Sequence, residues 1–281
     1  MNASSVKCPL CSKTYDKILL GFLYHCGGCD FSWDVETKDN LKPATEAESG
    51  EFVWKDSKTK LFNNGLDQLE RLLPSRGKLL DIGAGFGYFL DLARNRGWQV
   101  SGIDIDRKAI DFSKKRYGLE IFDKPIVQLG IPDNMYDAVT LWIVIEQLPD
   151  PVAELAQVFR ILKPGGIVYI RAYNHSFHRL TLPLSRILSG ILKMSASMIH
   201  SYNFTAKSLM KIIQDRGFVD IHIINSPASQ GDPYSTGGIF GARCVAAAKF
   251  GVYTFSRLLA GVSFGNLLLS STMTAYGRKP K

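Results

Sequence analysis

The chain lacks the apolar segments that would place it in or across a membrane. Its first residues, MNASSVKCPLC, contain no apolar core of a secretory signal, which predicts a chain that stays in the cytoplasm. No run of about 18 or more uncharged apolar residues qualifies as a membrane span, because Lys249 and Arg257 interrupt the best candidate. We therefore expect a cytoplasmic protein without a transmembrane helix.

Acidic residues are scarce in the C-terminal third of the chain. From residue 171 onward there are 13 Lys and Arg but only three acids, a net charge of +10. The first 170 residues carry 21 basic and 23 acidic side chains, a net charge of −2. The overall formal charge of +8 therefore belongs to the C-terminal third and predicts an anionic partner there. The length of 281 residues and the 46% hydrophobic content suit one large globular core with a small appendage.

Cysteine is also sparse, and four of the five cysteines lie in the first 29 residues. They form two C-x-x-C pairs, C-P-L-C and C-G-G-C, a pattern that in a cytosolic chain predicts a tetrahedral zinc site rather than disulfides. The predicted ligands are Cys8, Cys11, Cys26 and Cys29. Because four protein ligands leave no open position, the Zn²⁺ is expected to be structural. The alternative is four free or redox-active cysteines.

The surroundings of the cysteines predict a zinc ribbon over residues 1–35. His25 adjoins a cysteine and is expected to flank the metal rather than bind it. The polar composition of residues 36–50 predicts a linker, and residues 51–281 then form the main domain.

Strand and helix patterns alternate through the main domain. Such alternation predicts an α/β fold with a doubly wound, mostly parallel sheet and helices on both faces. We expect a weak third strand in EIFDKPIVQLG and a helix over PVAELAQVFRILKPGG that stops at Gly-Gly. Two final strands are expected in FVDIHIINS and SSTMTAYGRKP, and amphipathic helical insertions at about residues 176–200 and 240–270.

The stretch LLDIGAGFGYFLDLA predicts a strand, a tight turn and a helix that together hold a nucleotide-like ligand. Its glycines fall on alternate positions, whereas a dinucleotide loop would place the third glycine at Tyr88. Glycines let the backbone approach a ligand closely, and the helix N-terminus adds its positive dipole end. Asp104 ends the second strand, where a carboxylate can accept from both hydroxyls of a ribose. Asp106 is expected to cap the following helix.

Five motifs in order resemble those of class I S-adenosylmethionine-dependent methyltransferases: D-I-G-A-G-F-G, G-I-D, P-D-N-M-Y-D, I-E-Q-L-P-D-P and L-K-P-G-G. The resemblance covers roughly residues 61–281. It implies a Rossmann-like methyltransferase fold with seven strands, the last one antiparallel, and S-adenosylmethionine as cofactor. The cofactor-binding residues that it implies are Asp81, Gly83, Gly85, Gly87, Asp104, Ile105, Leu141 and Trp142.

The sequence departs from the family pattern at two places. The family often has an acid after the third strand that binds the adenine, and here that position falls at about Pro125, with Asp123 nearby. Many members read Glu-His after the fourth strand, where this chain has Glu146 and Gln147. Glu146 is therefore either part of the site or a carboxylate at a helix start.

Candidate catalytic bases follow the fifth strand. Methyl transfer needs an acceptor in line with the sulfonium and, for a hydroxyl acceptor, removal of one proton. His175, His178 and His200 are the candidates, and each is alternatively a structural histidine. The basic amphipathic segment that carries Arg179, Arg186 and other cations is either a lid over the acceptor pocket or a contact with an anionic membrane surface or lipid-linked substrate.

The sequence thus predicts a methyltransferase that acts, at oxygen, on a small-molecule, sugar-linked or lipid-linked acceptor. One alternative is a ribosomal-RNA methyltransferase whose zinc ribbon binds RNA, although no basic cluster is present in the first 50 residues. A second alternative is a non-catalytic binding or scaffold protein, which the intact Asp81 and Asp104 disfavour. The predicted location is the cytoplasm, or the inner face of a membrane as a peripheral protein. The oligomeric state is left open.

Overall fold

The computed structural model describes residues 6–15, 18–19, 23–34, 51–181, 200–227, 251, 253–259, 262 and 268–281. The predicted linker and most of both predicted insertions lie outside these residues. Within the described part of the chain, no helix is long and apolar enough to cross a bilayer.

The N-terminal segment forms short antiparallel strands, as expected for a ribbon. These strands are β1 (Val6–Lys7), β2 (Thr14–Tyr15), β3 (Ile18–Leu19), β4 (Leu23–Cys26) and β5 (Phe31–Trp33). β1 pairs with β2, and β4 pairs with both β3 and β5. Two of the cysteines lie at the end of β4 and in the turn that follows it.

The main domain alternates between helices and strands. In chain order its elements are α1 (Glu51–Leu72), β6 (Lys78–Ile82), α2 (Tyr88–Asn95), β7 (Gln99–Ile103), α3 (Arg107–Tyr117), β8 (Ile121–Phe122), β9 (Tyr136–Trp142), α4 (Pro151–Ile161), β10 (Leu162–Tyr173), α5 (residues 175–181), β11 (Tyr202–Asn203), α6 (Ala206–Gln214), β12 (Val219–Asn225) and β13 (Thr272–Arg278).

Seven of these strands form one sheet in the order β12-β13-β10-β9-β6-β7-β8. The five strands from β10 to β8 are parallel, whereas β13 is antiparallel to both β10 and β12. The predicted fold and its antiparallel last strand are confirmed. Because β7 and β9 lie on opposite sides of β6, the strand order reverses at β6, and ligands of such sheets bind at the carboxyl ends of the strands there.

Polar caps define where several helices begin. Asp106 accepts a hydrogen bond from Lys108 N and caps α3, as the sequence predicts. Asp150 caps α4 in the same way. Thr205 and Ser208 form a capping box at the start of α6. These caps satisfy backbone N–H groups that have no partner within the helix.

Proline moves two element boundaries away from their predicted positions. The third strand of the main domain, β8, has two residues and is followed by a 3₁₀ turn at Ile126–Gln128, because Pro125 cannot donate to a strand ladder. α4 ends at Ile161 rather than at the predicted Gly-Gly stop. The residue before Pro164 is biased away from helical backbone, so the L-K-P-G-G motif joins β10 through an irregular register instead.

The ribbon and the main domain share a sheet and a core. β11 pairs antiparallel with β5, with Tyr202 opposite Trp33, so that a four-stranded sheet has the order β11-β5-β4-β3. The Phe31 ring lies 6.1 Å from the Tyr202 ring and 5.0 Å from the Phe204 ring. Buried residues of the ribbon and of the main domain belong to one continuous apolar cluster. The ribbon is therefore anchored by a strand of the main domain.

Candidate functional site

The glycine loop, residues 83–87, lies at the carboxyl end of β6. All three of its glycines have positive φ angles, from 51° to 77°. Gly83 N donates to Ile103 O at 2.7 Å, which folds the loop over the end of β7. A Cβ at Gly83 would overlap the side chain of Val144, whereas a Cβ at Gly85 would meet no described atom within 4 Å. The loop is thus packed on one side and open on the other, as a ligand cradle requires.

Asp104 fastens the glycine loop to the end of β7. Its Oδ2 accepts from Gly85 N at 2.6 Å, and its Oδ1 accepts from Asp106 N at 2.9 Å. Each carboxylate oxygen has a second lone-pair direction that can accept from a ribose hydroxyl. The adjacent Ile105 side chain is 59% exposed and offers an apolar surface at the same edge.

Asp81 is a buried carboxyl group near the end of β6, just before the glycine loop, and it interacts electrostatically with Lys58 of α1. Asp81 is 2% exposed and accepts from Thr140 Oγ1 at 2.6 Å. Burial raises the pKa of Asp81 to about 8, with the Asp104 charge adding to the rise and Lys58 opposing it. Burial also lowers the pKa of the Lys58 ammonium to about 8, against the attraction of Asp81. Sequence reasoning did not single out Lys58, because a lysine in a polar helix start carries no signal.

The two predicted residues at the end of β9 lie in different surroundings. Trp142 packs with ring centroids 4.9 Å from Phe62 and 5.2 Å from Tyr169, and its buried Nε1 has no partner among the described residues. Leu141 is fully buried in the core. Ile143 follows with a φ of 59°, a strained conformation for a β-branched residue.

A second group of polar side chains lies where β9 and β10 end. This polar crevice is lined by Glu146, Tyr173, His175, His178, His200, Tyr202, Asn203 and Phe204. All three predicted histidines are therefore brought together, although they come from different segments. The His200 ring stacks on the Tyr173 ring at 4.9 Å. The contact between Val144 and the glycine loop places the chain segment that leads to Glu146 directly beside the loop.

Glu146 is the most deeply buried acid of the crevice, with 1% exposure. Its Oε1 accepts from Tyr173 N, and its Oε2 has no hydrogen-bond partner in the described part of the chain. Burial raises its pKa to about 7, and the bond from Tyr173 N and the charge of Arg171 limit the rise. The helix-start interpretation of Glu146 is wrong, because Asp150 caps α4. A buried carboxyl with a pKa near neutrality is typical of a functional site.

The three histidines differ in their hydrogen bonding. His178 Nε2 donates to Ser271 O at 3.0 Å, an arrangement that fixes its ring. Both ring nitrogens of His175 and Nε2 of His200 are buried and have no partner among residues that the structure describes. Burial lowers the pKa of His175 and of His200 to about 4, so both rings are neutral at pH 7. The crevice therefore offers unpaired, uncharged nitrogens beside one titratable carboxyl.

The four predicted zinc ligands are brought together in the ribbon. All four Sγ atoms lie within 4.8 Å of one another, and three of the cysteines are buried. Cys11 Sγ and Cys26 Sγ are 3.8 Å apart. Two thiolates at about 2.3 Å from a tetrahedral Zn²⁺ would be separated by about 3.8 Å, so the donor set fits that ion. His25 lies outside the group and bonds Ser32 Oγ at 3.0 Å, as expected of a flanking residue.

Comparisons with known proteins identify the family. A family model described as a methyltransferase domain matches residues 54–223, more than half of the chain. The chain is 28% identical over 200 residues to the ubiquinone/menaquinone biosynthesis C-methyltransferase of Desulfotalea psychrophila, covering 59% of this chain and 78% of that protein. It is 26% identical over 177 residues to the ubiquinone biosynthesis O-methyltransferase of Thiobacillus denitrificans, covering 60% and 69%.

Two further matches cover a smaller share of the related protein. A probable S-adenosylmethionine-dependent methyltransferase of Mycolicibacterium smegmatis is 28% identical to this chain. The match covers 50% of this chain and 51% of that protein, about half of its length. A solved structure, phosphoethanolamine N-methyltransferase 2 of Haemonchus contortus in complex with S-adenosylmethionine, superposes with a TM-score of 0.56. At 20% identity, over 88% of this chain and 60% of that one, this likeness shows the fold alone. With a matching family model and this sheet, the chain belongs to the class I S-adenosylmethionine-dependent methyltransferases.

Proposed function

We propose that this enzyme methylates a hydroxyl oxygen of a small-molecule, sugar-linked or lipid-linked acceptor. The polar crevice leaves no room for a water molecule as described, and we propose that its side chains separate to admit the polar end of the acceptor. The observation that carries the proposal is the set of buried polar atoms on Glu146, His175 and His200 without partners in the described part of the chain. Buried polar groups are rarely left unpaired, because each costs about 1–3 kcal/mol. Their convergence in one crevice supports a polar ligand group there.

The charges and shape around the glycine loop support a cofactor site. Asp104 would accept from the ribose hydroxyls, and Ile105 would contact a face of the adenine. The methionine end of the cofactor carries one carboxylate and one ammonium. The Lys58 cation would attract the carboxylate. The Asp81 carboxyl would accept a hydrogen bond from the ammonium, whose positive charge favours the ionised form of Asp81. The loop glycines leave the backbone accessible to this end of the ligand.

The crevice residues would orient the acceptor and remove its proton. When bound, S-adenosylmethionine would supply an activated methyl group and leave as S-adenosylhomocysteine. The acceptor oxygen that receives the methyl group would lose its hydroxyl proton. Glu146 Oε2 would accept this proton, because a base whose pKa lies near the working pH is the most effective. His175 and His200 are weaker bases and would instead hydrogen-bond the acceptor. Glu146 then returns the proton to solvent.

A direct test uses the purified full chain with ¹³C-methyl-labelled S-adenosylmethionine and a panel of phenol, quinol and sugar acceptors. Calorimetry measures cofactor binding, mass spectrometry measures S-adenosylhomocysteine, and NMR distinguishes O-methyl from C-methyl products. We expect binding, turnover and an O-methyl signal. A C-methyl product would refute the assignment of oxygen, and failure to bind the cofactor would refute the site itself.

We also propose that the four cysteines bind one structural Zn²⁺. Metal analysis of the purified chain should find one zinc per chain, and Cys26→Ser should lose it. A chain that contains no metal, or that contains disulfides between these cysteines, would contradict the assignment. Ser32→Ala, which removes a nearby hydroxyl but no thiol, is the matched control.

We further propose that the basic C-terminal third contacts an anionic membrane surface as a peripheral protein. Leu180 and Phe255 are exposed apolar side chains in the described parts of the two insertions. Both lie in the C-terminal third of the sequence, which carries a net charge of +10. Flotation with anionic liposomes should carry the protein at low salt, and neutral liposomes should not. Complete recovery in the soluble fraction with both would contradict this proposal. RNA binding with a steep salt dependence would favour the RNA alternative instead.

A further inference from the structure

We infer that the ribbon's metal site sets the shape of the polar crevice, because the ribbon and the crevice are both hydrogen-bonded to the same segment, residues 201–205 around β11. This inference rests on the proposed zinc site and on the crevice as acceptor site. It assigns the ribbon a positioning role: the bound metal holds β5 in place, β5 holds β11, and β11 forms a wall of the crevice.

The ribbon side of β11 is bonded close to the cysteines. Beyond the pairing of β11 with β5, Asp34 N donates to Ser201 O at 2.9 Å. Thr205 Oγ1 donates to Asp30 O at 2.8 Å. Asp30 directly follows Cys29 in the turn between β4 and β5, so the end of the β11 segment is bonded one residue from a metal ligand.

The other side of β11 is bonded to the crevice. Tyr202 N donates to Glu146 O at 3.1 Å, and His175 N donates to Phe204 O at 2.9 Å. Asn203 Nδ2 donates to His200 O at 2.7 Å. The backbones of the proposed base and of both unpaired histidines therefore depend on the position of this short strand.

Aromatic packing couples the same elements. Phe31 lies against the rings of Trp33, Tyr202 and Phe204, with centroid distances of 5.0 to 6.1 Å. All four side chains are almost fully buried. Because packed interiors leave few voids, a displacement of β5, which carries Phe31, would shift the rings packed against it and so move a wall of the crevice.

Metal loss should therefore loosen the crevice selectively. The ribbon strands have two to four residues each, and hairpins of this size are marginal in water without a metal or a partner. None of the hydrogen bonds described above involves the glycine loop or β6. We expect the acceptor KM to rise on zinc removal while cofactor binding is unchanged.

Hydrogen exchange of the full chain, zinc-loaded and chelator-treated under reducing conditions, tests the coupling without an acceptor. Exchange in residues 200–205 and 145–148 should accelerate about tenfold or more, while β6 and Val144, which contacts the glycine loop, stay protected and the cofactor Kd changes less than about twofold. Unchanged exchange in residues 200–205 would overturn the inference. An equal loss of protection in β6 would also overturn it, because the metal would then support the whole fold. If the proposed acceptor chemistry is wrong, these readouts still decide the coupling.

A pair of variants separates the strand contact from the metal. Asp34→Pro removes the N–H that donates to Ser201 O, whereas Asp34→Ala keeps it. Asp34→Pro should retain one zinc per chain, accelerate exchange in residues 200–205 and raise the acceptor KM about tenfold, as expected for one lost hydrogen bond. Its kcat and cofactor Kd should match those of Asp34→Ala. Parental exchange in Asp34→Pro would overturn the proposed route.

Discussion

Replacing Glu146 by glutamine should stabilise the protein and inactivate it. Glu146 is buried, and its pKa rises from 4.5 to about 7 in the folded chain. Below pH 4.5 the carboxyl is protonated in both the folded and the unfolded chain, so it has no effect on the pH dependence. Between pH 4.5 and 7 the unfolded chain loses the proton first. The free energy of unfolding therefore falls as the pH rises through this range. Above pH 7 it is lowered by the full cost of burying the ionised Glu146 carboxylate.

The size of the effect follows from the two pKa values. Each pH unit between them costs about 1.4 kcal/mol, so the penalty reaches about 3 kcal/mol at pH 8. Glutamine is neutral at every pH, and its Oε1 can still accept from Tyr173 N. The stability advantage of Glu146→Gln over the parent should thus grow by about 3 kcal/mol from pH 4 to pH 8. For a domain of this size this corresponds to about 6 to 12 °C in Tm.

Scanning calorimetry of both proteins from pH 4 to pH 8 measures this difference, and other titrating groups cancel in the comparison. Turnover of Glu146→Gln should fall about 10²- to 10⁴-fold, and parental kcat/KM should rise with pH to a plateau above about pH 7. Glu154→Gln is the control, since burial also raises the pKa of Glu154 to about 7 on α4, outside the crevice. A Tm difference independent of pH, or equal activity of the two variants, would refute the reasoning.

Three further substitutions test the cofactor loop and the ribbon core. Asp104→Ala should weaken S-adenosylmethionine binding at least tenfold in calorimetry, and an unchanged Kd would remove Asp104 from the site. Gly83→Ala should lower the Tm more than Gly118→Ala. An alanine at either position costs about 1–2 kcal/mol because φ is positive, and an alanine at position 83 also clashes with Val144. Equal losses would contradict that packing. Phe31→Ala should cost about 3–5 kcal/mol in the calorimetric unfolding free energy, and a loss under about 1 kcal/mol would exclude a shared core.

Most of the α/β fold could be predicted because its signals are local. Buried strands, amphipathic helices and the Asp106 cap depend on residues a few positions apart, and the strand alternation then restricts the sheet order. The errors lie where proline competes with these patterns. Pro125 shortens the third strand of the main domain. Pro164 ends α4 before the L-K-P-G-G motif, which instead forms the start of β10.

The candidate site was predictable where it coincides with a motif. The glycine loop and Asp104 follow strand ends, and those ends meet at one edge of a parallel sheet. Lys58 could not be found this way, because its electrostatic interaction with Asp81 joins α1 to β6 and no sequence motif marks the lysine. The pairing of β11 with β5 joins residues about 170 positions apart through two-residue strands, which are too short to leave a periodic signal.

The physical need for the ribbon follows from the crevice that it adjoins. A buried carboxyl and unpaired histidine nitrogens lower stability, and they persist only where the surrounding packing fixes their positions. The nearby rings of Phe31, Trp33 and Tyr202 are each almost fully buried. Burying one such side chain contributes about 1.5–3 kcal/mol, so a few of them offset the penalty of about 3 kcal/mol from Glu146. The pairing of β5 with β11 places this burial next to the point where the unpaired groups converge.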